Sequence, residues 1–338
     1  MIRRIILAAA LAAGLAGTAH AQATLDAVRA RGQLACGIGS GSPGFGLVDS
    51  RGQWTGISAD LCRGLAAAIF GDPSRVRYVV VTNATRFTAT TSGEIDVLAI
   101  ASTMTALRDT AIGLRFPAVY LYDGHGFMVR RDANIQAARG LAGAAICLLQ
   151  GTTNESITAE YFRSQNLQFR PLILADNDQI TQALNAGRCD AFGSDATLMA
   201  SARAALARPD DWVILNERFS KEPYSLVVRR GDDNWFEIVR WYTMALIQAE
   251  ESGITTATAE ETRRTSTDAN TRRLLGALPE VGQALRLDPA WAFNAIRAVG
   301  NYGEIYDRHF GPTTPLATPR AQNDLWTRGG LLYAPPFR

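Results

Sequence analysis

Short apolar runs of strand length alternate with segments of helical period along most of this 338-residue chain, and that alternation restricts the fold more than any other feature. QLACGI (33–38) reads as a strand. The next segment sets Leu61, Leu65, Ala68 and Ile69 at helical spacing, with Ser58 or Asp60 as cap and Gly71 as stop. RVRYVVV (75–81) and IDVLAIA (95–101) are strands flanking a short helix around Phe87. Such an order builds βα units around a mostly parallel sheet. A second series follows Asp123-Gly124-His125-Gly126. AAICLLQ (144–150), FRPLIL and CDAFGS are strands, separated by helices from about Asn154 to Ser164 and from Asp178 to Ala186. SLVVRR (225–230) then leads to a helix with Asn234 and Glu237 in capping-box spacing and an apolar face of Ile238, Val239, Tyr242, Ala245 and Leu246. Two α/β lobes joined near 124–127 and near 218–225 fit this order. Residues 24–124 and about 222–250 form the first lobe, residues 127–218 the second, and a mainly helical extension occupies 251–338.

The chain opens MIRRIILAAALAAGLAGTAHAQA: two arginines, an apolar stretch and Ala19-His20-Ala21. This is the pattern of a secretory signal cut near Ala21, with an apolar run too short for a spanning helix. Without Arg3 and Arg4 the Lys+Arg count falls from 34 to the 32 of Asp+Glu, so the exported chain is formally neutral. Its arginines are scattered and Lys221 is its one lysine, which gives no footprint for nucleic acid. Four cysteines in an exported chain favour disulfides. Cys36 lies on the first strand and Cys62 on the helix crossing back over it, while Cys147 and Cys189 belong to strands of the later series; we expect Cys36–Cys62 and Cys147–Cys189. With no C-x-x-C and only His125 and His309 beyond the signal, a metal site is poorly supported.

GIGSGSPGFG (37–46) contains G-x-G-x-x-G at Gly39, Gly41 and Gly44. A dinucleotide loop requires a helix opening at the third glycine, and Pro43 and Phe45-Gly46-Leu47 argue against one. No P-loop and no G-x-S-x-G elbow occurs, so no catalytic residue and no cofactor is nominated.

Binding chemistry is better represented. In STMTALRDT (102–110), Thr105 can cap a short helix that carries Arg108 beyond a strand end, where ligands of doubly wound sheets bind. A guanidinium there can grip a carboxylate through paired hydrogen bonds; a surface arginine paired with Asp109 is the alternative. LLQGTTNES (148–156) is a strand, a turn and a helix start capped by Thr152 or Thr153, receptive to an anion. Asp195, past a strand end, can take an ammonium or can cap the following helix.

These segments resemble a family. GEIDVLAIASTMTALRD, LLQGTTNES and AGRCDAFGSD look like the solute-binding proteins of bacterial polar amino-acid ABC transporters, family 3. LDAVRARGQLACGI, YDGHGFMVRRD, SKEP, RRGDDNWFEIVRW, GNYGEIYDRHFGP and LWTRGGLLYAPPFR resemble its general L-amino-acid-binding branch. The resemblance implies a type II periplasmic-binding-protein fold: two doubly wound α/β lobes on a two-strand hinge, with a helical C-terminal extension. It further implies a monomeric periplasmic receptor that hands free L-amino acids to an inner-membrane ABC permease. Arg108 would grip the α-carboxylate, with the N–H and hydroxyl of Thr153; Thr103 would share the ligand's main-chain groups; the Ala101 carbonyl and Asp195 would take the ammonium. Gln150 and Thr152 of the same turn and Phe45 of the glycine-rich loop complete the expected lining. Relatives carry aspartate where Ser58 stands, and serine can still cap. Arg86 aligns with a residue that contacts acidic side chains in glutamate/aspartate binders, although a surface role fits it as well. With Gly39, Gly41 and Ser42 where selective relatives carry charge or a ring, the side-chain pocket should be roomy. Exported cyclohexadienyl dehydratases resemble the same fold and give the enzymatic alternative; a sensory amino-acid binder is a third.

Overall fold

A computed structural model describes residues 24–338. The expected signal and its cleavage near Ala21 lie outside the described residues. The strand Ala145–Leu149 shows how the apolar runs are used. Ile146 and Leu148 enter one buried cluster and Cys147 and Leu149 another, on the opposite face. A strand covered on both faces needs continuous apolar sequence, which is why AICLL does not alternate with polar residues.

This strand belongs to a five-stranded sheet in the order 170–174, 145–149, 191–195, 125–130, 212–214. The first three run parallel, and 125–130 is antiparallel to both of its neighbours. The first lobe repeats the plan. Val76–Val80, Leu34–Ile38 and Val97–Leu98 form a parallel sheet. An antiparallel bridge from Leu98 to Val227 and the pairing of Val228–Arg229 with Leu114–Arg115 extend it. The antiparallel position in each lobe is filled by chain that has just crossed from the other lobe. The crossings themselves, Val119–Asp123 and Glu222–Ser225, pair antiparallel as a two-strand hinge.

Several caps differ from expectation. The helix Ile57–Phe70 starts after Gly56 with no side-chain cap. Ser58 instead donates to the Ala99 carbonyl at 2.7 Å, and Asp60 pairs with Arg308 and His309. The helix Asp233–Glu251 is capped by Asp232, two residues before Asn234; a true capping box occurs at Asn301 and Glu304. The disulfides Cys36–Cys62 and Cys147–Cys189 are both formed, but Cys189 sits in the turn before its strand.

The extension packs on the first lobe, and its Trp291, Ile296, Tyr306 and Phe337 share one core cluster with Leu34, Leu65 and Leu246. Its tail reaches the hinge, where Asn323 accepts from the Tyr122 N–H at 2.6 Å and donates to the Tyr122 carbonyl at 2.9 Å. Among the described residues no helix is long and apolar enough to cross a membrane.

Candidate functional site

Between the lobes lies a cavity of about 170 Å³ at the carboxyl ends of both sheets' strands, the place that doubly wound topology reserves for ligands. The lobes touch on two sides of it. Arg86 donates to the Gly151 carbonyl at 3.2 Å, and Asn177 donates to the Ser42 hydroxyl at 2.6 Å.

The first lobe brings cations. Thr105 caps the helix Ala106–Ala111 as expected, accepting from the Arg108 N–H, and this sets the Arg108 side chain against the cavity. Its guanidinium donates to the Thr103 carbonyl at 3.0 Å. Arg86, for which the sequence favours a surface role, is only 2% exposed and lines the cavity; its Nε is buried without a hydrogen-bond partner. Both guanidiniums lie over the Phe87 ring, that of Arg86 4.5 Å and that of Arg108 5.0 Å from its centre. Burial, and then repulsion from Arg108, pull the Arg86 pKa down to about 9, which leaves it charged at neutral pH.

The second lobe brings an acid. Asp195 stands at the N-cap position of the helix Ala196–Ala205 but makes no capping bond. Asp123 of the hinge does that work, accepting from the Ala196 and Thr197 N–H groups at 3.0 and 2.9 Å. Asp195 is thereby left to the cavity. It is 3% exposed, one oxygen accepts from the Tyr224 hydroxyl, and Oδ1 has no partner. Burial first, then the neighbouring Asp123 and Glu222, hold its pKa well above the ordinary carboxylate range.

Thr152 and Thr153 also line the cavity, yet neither hydroxyl caps the helix Thr153–Ser164. Thr152 donates to the Leu149 carbonyl at 2.7 Å. Thr153 donates to Glu222 at 2.9 Å, so in this structure its hydroxyl hydrogen is given to the hinge. Thr103, Ala101 and Phe45 line the cavity as expected. Gln150 does not: it is exposed, in the turn that follows the strand Ala145–Leu149.

The glycine-rich loop forms one wall. Gly44 has φ +80° where a nucleotide loop would begin its helix, so the fingerprint match is not used as one. Nor do its glycines make room: a Cβ on Gly39 would strike Ile100 at 2.8 Å, and one on Gly41 would meet the Asp178 carboxylate at 2.9 Å. The loop is packed tight, and Phe45 rests edge-on against Phe310 of the extension, 5.0 Å between ring centres.

Sequence reasoning missed Glu222 and Tyr224. Both sit on a hinge strand with no local signal of function, and their side chains share a face by strand alternation. His125 is fully buried between Asn154 (2.8 Å) and Thr158 (3.0 Å), and burial pushes its pKa down to about 4.

Residues 34–312 match the bacterial extracellular solute-binding proteins, family 3. The chain belongs to this family. It is 47% identical over 329 residues to the glutamate/glutamine/aspartate/asparagine-binding protein BztA of Rhodobacter capsulatus, covering 97% of each chain. It is 44% identical over 340 residues to the general L-amino acid-binding periplasmic protein AapJ of Rhizobium johnstonii, covering 100% of this chain and 99% of that one. A solved ABC-transporter periplasmic binding protein from Brucella ovis, with glutathione bound, superposes with a TM-score of 0.91 at 43% identity, covering 94% of this chain and 99% of that chain. The sheet order and two-strand hinge described above are the type II arrangement of this solute-binding family.

Proposed function

We propose that the protein is an exported receptor that closes on one free L-α-amino acid and presents it to an ABC permease without catalysing a reaction. The observation that carries this is the division of charge in the cavity: two half- to fully buried guanidiniums on one lobe and a buried carboxylate with an orphan oxygen on the other. A buried charge without a counter-charge is costly, and a zwitterion supplies an anion to one guanidinium and a cation to the carboxylate. Arg108 takes the α-carboxylate. Asp195 and the Ala101 carbonyl take the ammonium. Arg86 is the counter-charge for a ligand side chain, which favours acidic and amide side chains. The names of the relatives support amino acids as the class and periplasmic transport as the setting.

The test is a thermal-shift and calorimetric panel of the twenty amino acids and glutathione, run on protein stripped of ligand by unfolding and refolding. Strong shifts with several L-amino acids are expected, glutamate and aspartate among them. No shift with any amino acid overturns the reading. Incubation with prephenate or arogenate addresses the enzymatic alternative, and turnover of either would replace the receptor role.

A further inference from the structure

Glu222 is 2% exposed and makes three hydrogen bonds to hydroxyls. One of its oxygens accepts from Ser220 at 2.6 Å; the other accepts from Thr103 at 2.5 Å and from Thr153 at 2.9 Å. Thr103 belongs to the first lobe's loop and Thr153 to the second lobe's helix start, so one hinge carboxylate holds a hydroxyl from each. Both threonines line the cavity, whereas Glu222 stands behind them, outside its lining. A threonine hydroxyl has one hydrogen and two lone pairs, and a carboxylate only accepts. Each hydroxyl therefore commits its hydrogen to Glu222 and keeps only lone pairs for a ligand.

Two residues further along the same strand, Tyr224 acts with the same polarity. Its hydroxyl is given to Asp195, which leaves Asp195 Oδ1 buried and unpartnered. Two oxygens at the ligand space, from Thr103 and Thr153, thus have no hydrogen to offer, and the ionised Asp195 beside them only accepts. Hydrogen-bond donors come from elsewhere, Arg86 and Arg108 among them. The cavity has an acceptor-only region, and hinge residues create it.

Building on the amino-acid reading, we infer that Glu222 is a specificity-positioning residue: it fixes Thr103 and Thr153 as acceptors, so that the site takes an α-ammonium and rejects an α-keto oxygen. An ammonium brings three donors to such a region. A keto oxygen in its place brings only lone pairs against lone pairs, and leaves buried groups unpaired.

The test compares L-glutamate with 2-oxoglutarate by calorimetry on the full exported chain. The wild type should bind L-glutamate and prefer it over 2-oxoglutarate by at least about a thousandfold, as sites built around a polar substrate group do. In Glu222→Met the threonine hydroxyls regain free hydrogens that can donate to a keto oxygen. The preference should then narrow by about tenfold or more, the equivalent of one buried hydrogen bond. If Glu222 only braces the hinge, both affinities fall in parallel and the ratio stays put, which overturns the inference. Thr153→Val, which deletes one acceptor and keeps the backbone, should narrow the ratio in the same direction. An unchanged ratio there overturns the inference even if Glu222→Met does not fold. A wild type that binds other amino acids but shows no preference for glutamate over its keto analogue overturns the inference alone; one that binds no amino acid overturns the receptor reading with it.

Discussion

The two lobes share a strand order but are stabilised differently. The first lobe has a small cluster of its own around Leu98 and Val227, and its larger core, which runs from Leu25 to Phe337, is shared with the extension. The second has only its own two clusters, one on each face of a five-stranded sheet. In the proposed receptor the first is the frame, and the second is the smaller body that moves against it. Their chemistry is divided as well: the frame holds Arg86 and Arg108, and the moving lobe holds Asp195. In that reading a zwitterion bridging the lobes gains its full set of contacts only when they close, so binding shifts the equilibrium toward closure.

This division is most exposed to test at Arg108. Arg108→Ala should lower the affinity for every amino acid by about a hundredfold to ten-thousandfold, given roughly 1.5–3 kcal/mol for each of two charge-assisted bonds lost. Asp195→Asn should weaken all of them alike but less, because an amide oxygen still accepts from an ammonium. Calorimetry across the panel checks both. Normal binding by Arg108→Ala would remove it from the site.

The unequal cores lead to a second expectation. The Cys147–Cys189 bridge closes a separation of 42 residues and Cys36–Cys62 one of 26. Chain-entropy reasoning gives about 4 and about 3.5 kcal/mol respectively. The larger effect falls on the lobe with the smaller core, so Cys147→Ala/Cys189→Ala should lower the unfolding temperature more than Cys36→Ala/Cys62→Ala. Thermal unfolding of the two double variants gives the order directly, and the reverse order would refute the frame-and-mover picture.

How much of this was legible beforehand follows from which interactions are local. Strand and helix alternation, the Thr105 cap and the cysteine pairs depend on neighbours in sequence or on one βα unit, and they were readable. One sheet partner of Leu98 is Val227, more than a hundred residues away, and nothing in IDVLAIA announces it. Asp195 could be read as ligand or cap because only the fold brings Asp123 to take the capping bonds. Nothing in SKEP singles out Glu222, and its three hydroxyl partners come from Thr103, Thr153 and Ser220. The glycines were misread for the same reason: their missing side chains admit Ile100 and Asp178, not a ligand.

His125 makes the moving lobe sensitive to acid. Its folded pKa is lowered to about 4 from an ordinary 6.5, so between those values the unfolded chain binds a proton that the folded chain does not. Stability is then full above about pH 6.5 and falls as the pH drops toward 4, by roughly 3 kcal/mol. Asp195 opposes this, since its raised pKa makes the folded chain take up protons as the pH falls toward the acid range. Unfolding temperatures measured from pH 7 to pH 4 should therefore drop less steeply in His125→Gln than in the wild type. Equal slopes would show that the imidazole is not held neutral.

The smallest expected effect, and the sharpest about ligand choice, concerns Arg86. Arg108 alone suffices for an α-carboxylate, yet the frame buries a second guanidinium within the same cavity and leaves its Nε without a partner. Burial and repulsion from Arg108 both act against that charge. A ligand carboxylate beyond the zwitterion relieves both, whereas an amide oxygen relieves them only in part. Arg86→Gln should therefore lower glutamate affinity by about tenfold to a hundredfold, roughly one charge-assisted bond. Glutamine should lose less, and alanine almost nothing. The ratio of glutamate to glutamine affinity is the deciding quantity, because the two ligands share every main-chain contact and differ only where Arg86 is expected to act. A ratio unchanged by Arg86→Gln would reduce Arg86 to a bridge to the Gly151 carbonyl and remove the structural basis for a preference for acidic side chains.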